Sequence, residues 1–160
     1  MMDSSQNGIT DFIICLKSQF DSQDAPKVIG KIGIYRARPS NEIGFLIARE
    51  HWGKGLAKEA LTHMLAYLFS LKTEPEQYSK DAETGSEGYT SLTASEVRGE
   101  WMYQSISADV DPRNAASIGV LKKFGFEEAG YEKDSYDIGG EWVDTLYLRL
   151  RREEWVRRNG

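Results

Sequence analysis

The stretch Glu42-Ile43-Gly44-Phe45-Leu46-Ile47-Ala48-Arg49-Glu50-His51-Trp52-Gly53-Lys54-Gly55-Leu56-Ala57-Lys58-Glu59-Ala60-Leu61 decides how this chain is read. It begins as a short apolar run of the kind that forms a strand. It ends in a helical pattern, because Leu56, Ala60, Leu61, Met64, Leu65, Leu68 and Phe69 recur at helical spacing. Between the two lies a turn with alternate glycines. A strand that passes through such a turn into a helix start gathers several unpaired backbone N–H groups at one point. With no side chains at Gly53 and Gly55, a phosphate can approach them. A plain tight turn explains two glycines about as well, so the context has to decide.

Upstream, the runs 11–17, 28–36 and 42–48 are rich in Ile, Val, Phe or Leu. Asp21-Ser22-Gln23-Asp24-Ala25-Pro26 and Pro39-Ser40-Asn41 separate them, which reads as an antiparallel meander. The helix is predicted over 55–71. From 72 to 99 the composition shifts to Glu, Ser, Thr, Gly and Asp, which predicts a mobile insertion. A strand follows at 101–110, where Tyr103, Ser105 and Ser107 alternate with Met102, Gln104 and Ile106. A short helix is predicted over 114–124, with Pro112 ahead of its start and Gly125 after its end. Strands over 126–138 and 142–150 are joined at Gly139-Gly140, a hairpin signal. The expected fold is α/β of the α+β kind: a mixed, mostly antiparallel sheet flanked by helices, in the order β-β-β-α-(insertion)-β-α-β-β. One domain is expected over 11–150, with 1–10 and 151–160 as flanking tails.

The bulk numbers narrow the function. At 160 residues and 40% hydrophobic, the chain suits one domain with a sizeable core. A formal net charge of −5 argues against a nucleic-acid partner, which needs a concentrated basic surface. The basic cluster Arg149, Arg151, Arg152, Arg157 and Arg158 is interrupted by Glu153, Glu154 and Trp155 and reads as a solvated face or helix end. Cys15 is the only cysteine and sits in an apolar run, so it is assigned to the core. His51 and His63 alone give no zinc-like ligand spacing, and no metal is expected. Without a leader-like start or a long apolar run, no membrane partner is expected and the cytoplasm is the expected location.

Two familiar nucleotide motifs fail on the glycine turn. A Walker turn needs a longer gap between its glycines and then Gly-Lys-Ser/Thr, whereas here the run is Gly53-Lys54-Gly55-Leu56-Ala57-Lys58. The dinucleotide fingerprint fails because Lys58 stands where its third glycine belongs, and the preceding strands read as antiparallel. The turn instead resembles the pyrophosphate motif of the GNAT acetyltransferases, Q/R-x-x-G-x-G/A, aligned with Trp52-Gly53-Lys54-Gly55-Leu56-Ala57. Trp52 departs from its first position, in a context that resembles the RimJ/RimL-like branch. A second block, Asn114-Ala115-Ala116-Ser117 followed by Leu121-Lys122-Lys123-Phe124-Gly125-Phe126, resembles N-x-x-S…L-x-K-x-G-F of that branch.

The resemblance implies acetyl-coenzyme A as co-substrate and a primary amine of a peptide or small molecule as acceptor. By it, Leu46 and Ile47 face pantetheine, Trp52, Gly53, Lys54, Gly55, Leu56 and Ala57 face the pyrophosphate, and Asn114 lies beside the cofactor arm. Lys54 and Lys58 can add charge there or simply face solvent. Glu42 is the implied general base, because Glu42-Ile43 resembles the segment that carries the base in histone-acetylating members. An exposed Glu at a strand start is the alternative. Ser117 is the implied acid for the leaving thiolate, with a helix-surface or capping hydroxyl as its alternative. Leu121 stands where many members have an acid Tyr, and Tyr136 where the branch has a carboxylate. These departures keep two rival readings in view, a catalytically silent coenzyme-A-binding module and an interaction protein that retains only the GNAT fold. His51 is assigned to packing beside Trp52, and His63 to a structural place in the helix. Only a few polar residues precede Asp11, so the strand and helices that usually open such a domain are expected to be missing, and a second copy is expected to cover the bare surface as a homodimer.

Overall fold

A computed structural model describes residues 10–16, 26–36, 41–72 and 102–160. In chain order they form β1 (Thr10–Cys15), β2 (Val28–Arg36), β3 (Glu42–Ile47), α1 (Leu56–Ser70), β4 (Ser105–Val110), α2 (Ala115–Lys123), β5 (Glu127–Ile138), β6 (Glu141–Arg151) and α3 (Arg152–Asn159). The strands make one six-stranded sheet in the order β1-β2-β3-β4-β6-β5. Every neighbouring pair is antiparallel except β3 and β4. The predicted mixed, mostly antiparallel sheet and its element order are therefore present. The expected insertion over 72–99 lies, after Lys72, outside the described residues.

Period-two alternation gives the sheet two unlike faces. One carries Ile32, Ile34, Ile43, Ile106, Ala108, Val110, Leu148 and Leu150, all buried. The apolar stripe of α1 (Leu61, Met64, Leu65, Leu68, Phe69) packs on it, joined by Leu121 of α2 and Trp155 of α3 in a single core cluster. The other face presents Lys31, Tyr35, Glu42, Gly44, Leu46, Ser105, Ser107, Asp109 and Arg149. Among the described residues no helix covers it. Between β1 and α1, Phe12, Ile14, Ile32, Ala60, Met64 and Tyr67 line an apolar groove of about 900 Å³. No helix of the described residues is long and apolar enough to cross a membrane.

The C-terminus corrects one expectation. Residues 151–160 are not a flanking tail: Arg152–Asn159 is a helix whose Trp155 is 8% exposed. Its indole stacks on Phe69 at 5.8 Å and Phe124 at 6.3 Å between centroids, tying α3 to both α1 and α2. The domain consequently extends past 150. The predicted strand at 101–110 begins at Ser105, because the Met102 N–H donates instead to Leu71 O at 3.0 Å. The chain thus leaves α1 and returns to the fold at one point.

Candidate functional site

β3 and β4 run parallel but share one registered pair, Glu42 with Ser107, next to a bond from Ser107 N–H to Asn41 O of 3.2 Å. Beyond that pair they diverge. The direction of the free backbone groups follows from the hydrogen bonds at the two ends of β3. Ala48 N–H donates to Ile29 O of β2 at 2.8 Å, while Asn41 O accepts from β4. With strict alternation, Leu46 and Gly44 direct their N–H and C=O groups to β2, whereas Ile43, Phe45 and Ile47 direct theirs toward β4. Ile47 is thus placed to pair with a ligand lying in the gap. Leu46 is not, and its side chain stands on the open face, 61% exposed. Phe45 was missed by sequence reasoning, because the hydropathy of a side chain carries no information on where its own backbone points.

The gap leads straight to the glycine turn. After Ile47 the chain makes a short 3-10 turn, Arg49–His51, and enters Gly53 and Gly55 with φ of 73° and 78°. These left-handed values suit glycine. Gly55 is the N-terminal boundary residue of α1, no side chain caps the helix, and the first intrahelical bond is Glu59 N–H to Gly55 O at 3.1 Å. The N–H groups of Gly55, Leu56, Ala57 and Lys58 are accordingly left over by the helix. A Cβ on Gly53 or Gly55 would meet no protein atom within 4 Å, so open space lies beside this backbone. Such a cradle fits a pyrophosphate, with Lys54 and Lys58 exposed nearby. The turn is braced from just before β2, where Lys27 bonds Glu50 at 2.8 Å and holds its carboxyl below the usual range. The His51 side chain is largely buried at 13% exposure, in line with packing rather than a solvent-facing role.

On the far side of the gap, Asn114 sits at the head of α2. Its Oδ1 accepts from Ser117 N–H at 3.1 Å, a helix cap, which leaves its amide NH2 for any ligand. Ser117 is half-buried in the first turn of the same helix. Arg113, just before, forks to Asp111 and Glu141 at 2.7 Å each, tying the helix start to the β5–β6 hairpin. Glu42 is half-buried on the open face. Beside it the Tyr35 ring lies across Gly44, where a Cβ would come within 2.6 Å of the ring. The structure therefore brings Ile47, Gly53 and Gly55 together along one path. Glu42 stands where the gap begins, and Asn114 and Ser117 on the helix that follows β4.

A mixed sheet whose two central parallel strands part next to a left-handed glycine turn is in line with the GNAT resemblance. The comparisons agree with it. Residues 2–127 match the acetyltransferase (GNAT) domain model, and the chain belongs to that family. It is 27% identical over 137 residues to the uncharacterized N-acetyltransferase p20 of Bacillus licheniformis, covering 84% of this chain and 61% of that protein. It is 27% identical over 114 residues to the [ribosomal protein uS5]-alanine N-acetyltransferase of Escherichia coli, covering 71% and 44%. In fold it is similar to a spermidine N-acetyltransferase SpeG variant of Vibrio cholerae, with a TM-score of 0.65, 18% identity and 96% and 72% coverage. The chain spans about three-fifths of the length of the p20 protein that it matches.

Proposed function

We propose that this chain is the transfer domain of an N-acetyltransferase that moves an acetyl group from acetyl-coenzyme A to a primary amine. The observation that carries this reading is the parting of β3 and β4 from Glu42 and Ser107 onward, in line with the glycine turn. In it, the N–H groups of residues 55–58 hold the pyrophosphate and Ile47 pairs with the pantetheine arm. The co-substrate supplies the acetyl group as a thioester. The amine reaches the gap from the open face, and Glu42 takes its proton directly or through one water. A backbone N–H of Phe45 or Ile47 stabilises the oxyanion, and Ser117 returns a proton to the leaving thiolate. The E. coli and V. cholerae relatives are named for a protein alanine and for spermidine, both amines, which supports an amine acceptor here.

Release of free coenzyme A thiol across a panel of peptide N-termini, lysine, polyamines and small amines tests this. Amine-dependent release is the expected result. Coenzyme A binding with no turnover on any amine would leave a silent binding module, and no binding at all would sink the reading.

The domain is further proposed to act as a homodimer. β1 ends the described sheet with an unpaired edge, Phe12 and Ile13 are exposed on it, and the apolar groove opens beside it. A two-fold pairing covers both edges at once. Light scattering at micromolar concentration should return about twice the chain mass of 18.1 kDa. A stable mass equal to that of one chain is the result that refutes it.

A further inference from the structure

Trp52 takes the first position of the glycine turn, and its side chain points back along the chain. Its indole Nε1–H donates to Ile47 O at 2.6 Å. The backbone between them is already tight, with His51 N–H on Ala48 O at 2.9 Å and Trp52 N–H on Arg49 O at 3.1 Å. The indole bond closes this five-residue loop once more, from the side chain. Packing does not account for the residue, because Trp52 as a whole is 63% exposed while its N–H end is engaged. The carbonyl it meets is one of those that face the gap, and a carbonyl oxygen has a second lone pair for another donor.

We infer that Trp52 is a positioning residue that sets the distance between two halves of one ligand site. One half is the edge of β3 at Ile47, and the other is the cradle of N–H groups at Gly55 to Lys58. This rests on the reading that one coenzyme A spans both. A fixed spacing benefits a ligand that engages the two halves together, since the second contact is then made without further ordering of the protein. A ligand that touches one half gains nothing from it.

The test is calorimetric, with three ligands on wild type and Trp52→Phe, which keeps a ring and removes the donor. Coenzyme A spans both halves, adenosine 3′-phosphate 5′-diphosphate carries the pyrophosphate end, and pantetheine carries the amide arm. Loss of one hydrogen bond in Trp52→Phe should weaken coenzyme A about three- to tenfold. Each half ligand should stay within about twofold of wild type, as the strut bears on neither alone. Unchanged coenzyme A affinity overturns the inference. So does a parallel loss for all three ligands, which is what simple disordering of the turn produces. Wild-type protein that binds none of them overturns the cofactor reading, and the inference with it. Should Trp52→Phe fail to fold by circular dichroism, Trp52→Leu carries the same comparison.

Discussion

Gly55→Val is expected to abolish measurable coenzyme A binding while leaving the domain folded. Gly55 has φ 78° and lies at the start of α1. A β-branched residue there costs about 1–2 kcal/mol in backbone strain, less than the stability of an ordinary domain. Beyond the turn's own neighbours no described atom stands within 4 Å of the added Cβ, so open space receives the side chain's first atom. The loss falls on the ligand. Hydrogen bonds to a charged group contribute about 1.5–3 kcal/mol each, so displacing a pyrophosphate from two N–H groups should weaken binding by about a hundredfold or more. Calorimetry together with a melting curve separates the two effects. A folded Gly55→Val protein with undiminished affinity would place the phosphate elsewhere.

The second large effect is expected at Glu42. It stands where β3 and β4 last touch, half-buried on the open face, and in the proposed reading an amine entering the gap passes its carboxylate. Glu42→Gln keeps the size and removes the proton acceptor. With a general base contributing about 10²–10⁴-fold, kcat should fall by about two orders of magnitude and coenzyme A affinity should change little. The ascending limb of the pH–rate profile should flatten in the variant. A variant with near-normal kcat across pH would leave Glu42 only its part in the strand.

Much of the fold was legible because it rests on local patterns. The meander, the α1 stripe from Leu56 to Phe69 and the Gly139-Gly140 hairpin each announce themselves within a few residues, and each is present. The α3 helix was not legible. In Arg152–Asn159 the apolar side chains are the adjacent Trp155 and Val156, and one such pair in a charged run gives no period to read, although the Trp155 indole stacks on both Phe69 and Phe124. The site divides in the same way. The glycine turn is visible in the sequence because left-handed backbone leaves a glycine behind. The facing of Phe45 and Ile47 toward the gap depends on strand pairing, and the bond from Trp52 to Ile47 depends on a side chain folding back on its own strand. Neither leaves a compositional trace.

The bond between Leu71 and Met102 has a consequence for remodelling the chain. Leu71 and Met102 are held together at one spot on the scaffold, so whatever sequence joins them closes a ring on it. Ring closure grows only with the logarithm of length, about 0.6 kcal/mol for each doubling, which makes the junction tolerant of added or exchanged sequence. The junction lies at the opposite end of α1 from Gly55, about 22 Å away along a 15-residue helix. A reporter domain grafted there, or new chain termini opened there after joining the old ones, would be insulated from the glycine turn by the full length of the helix.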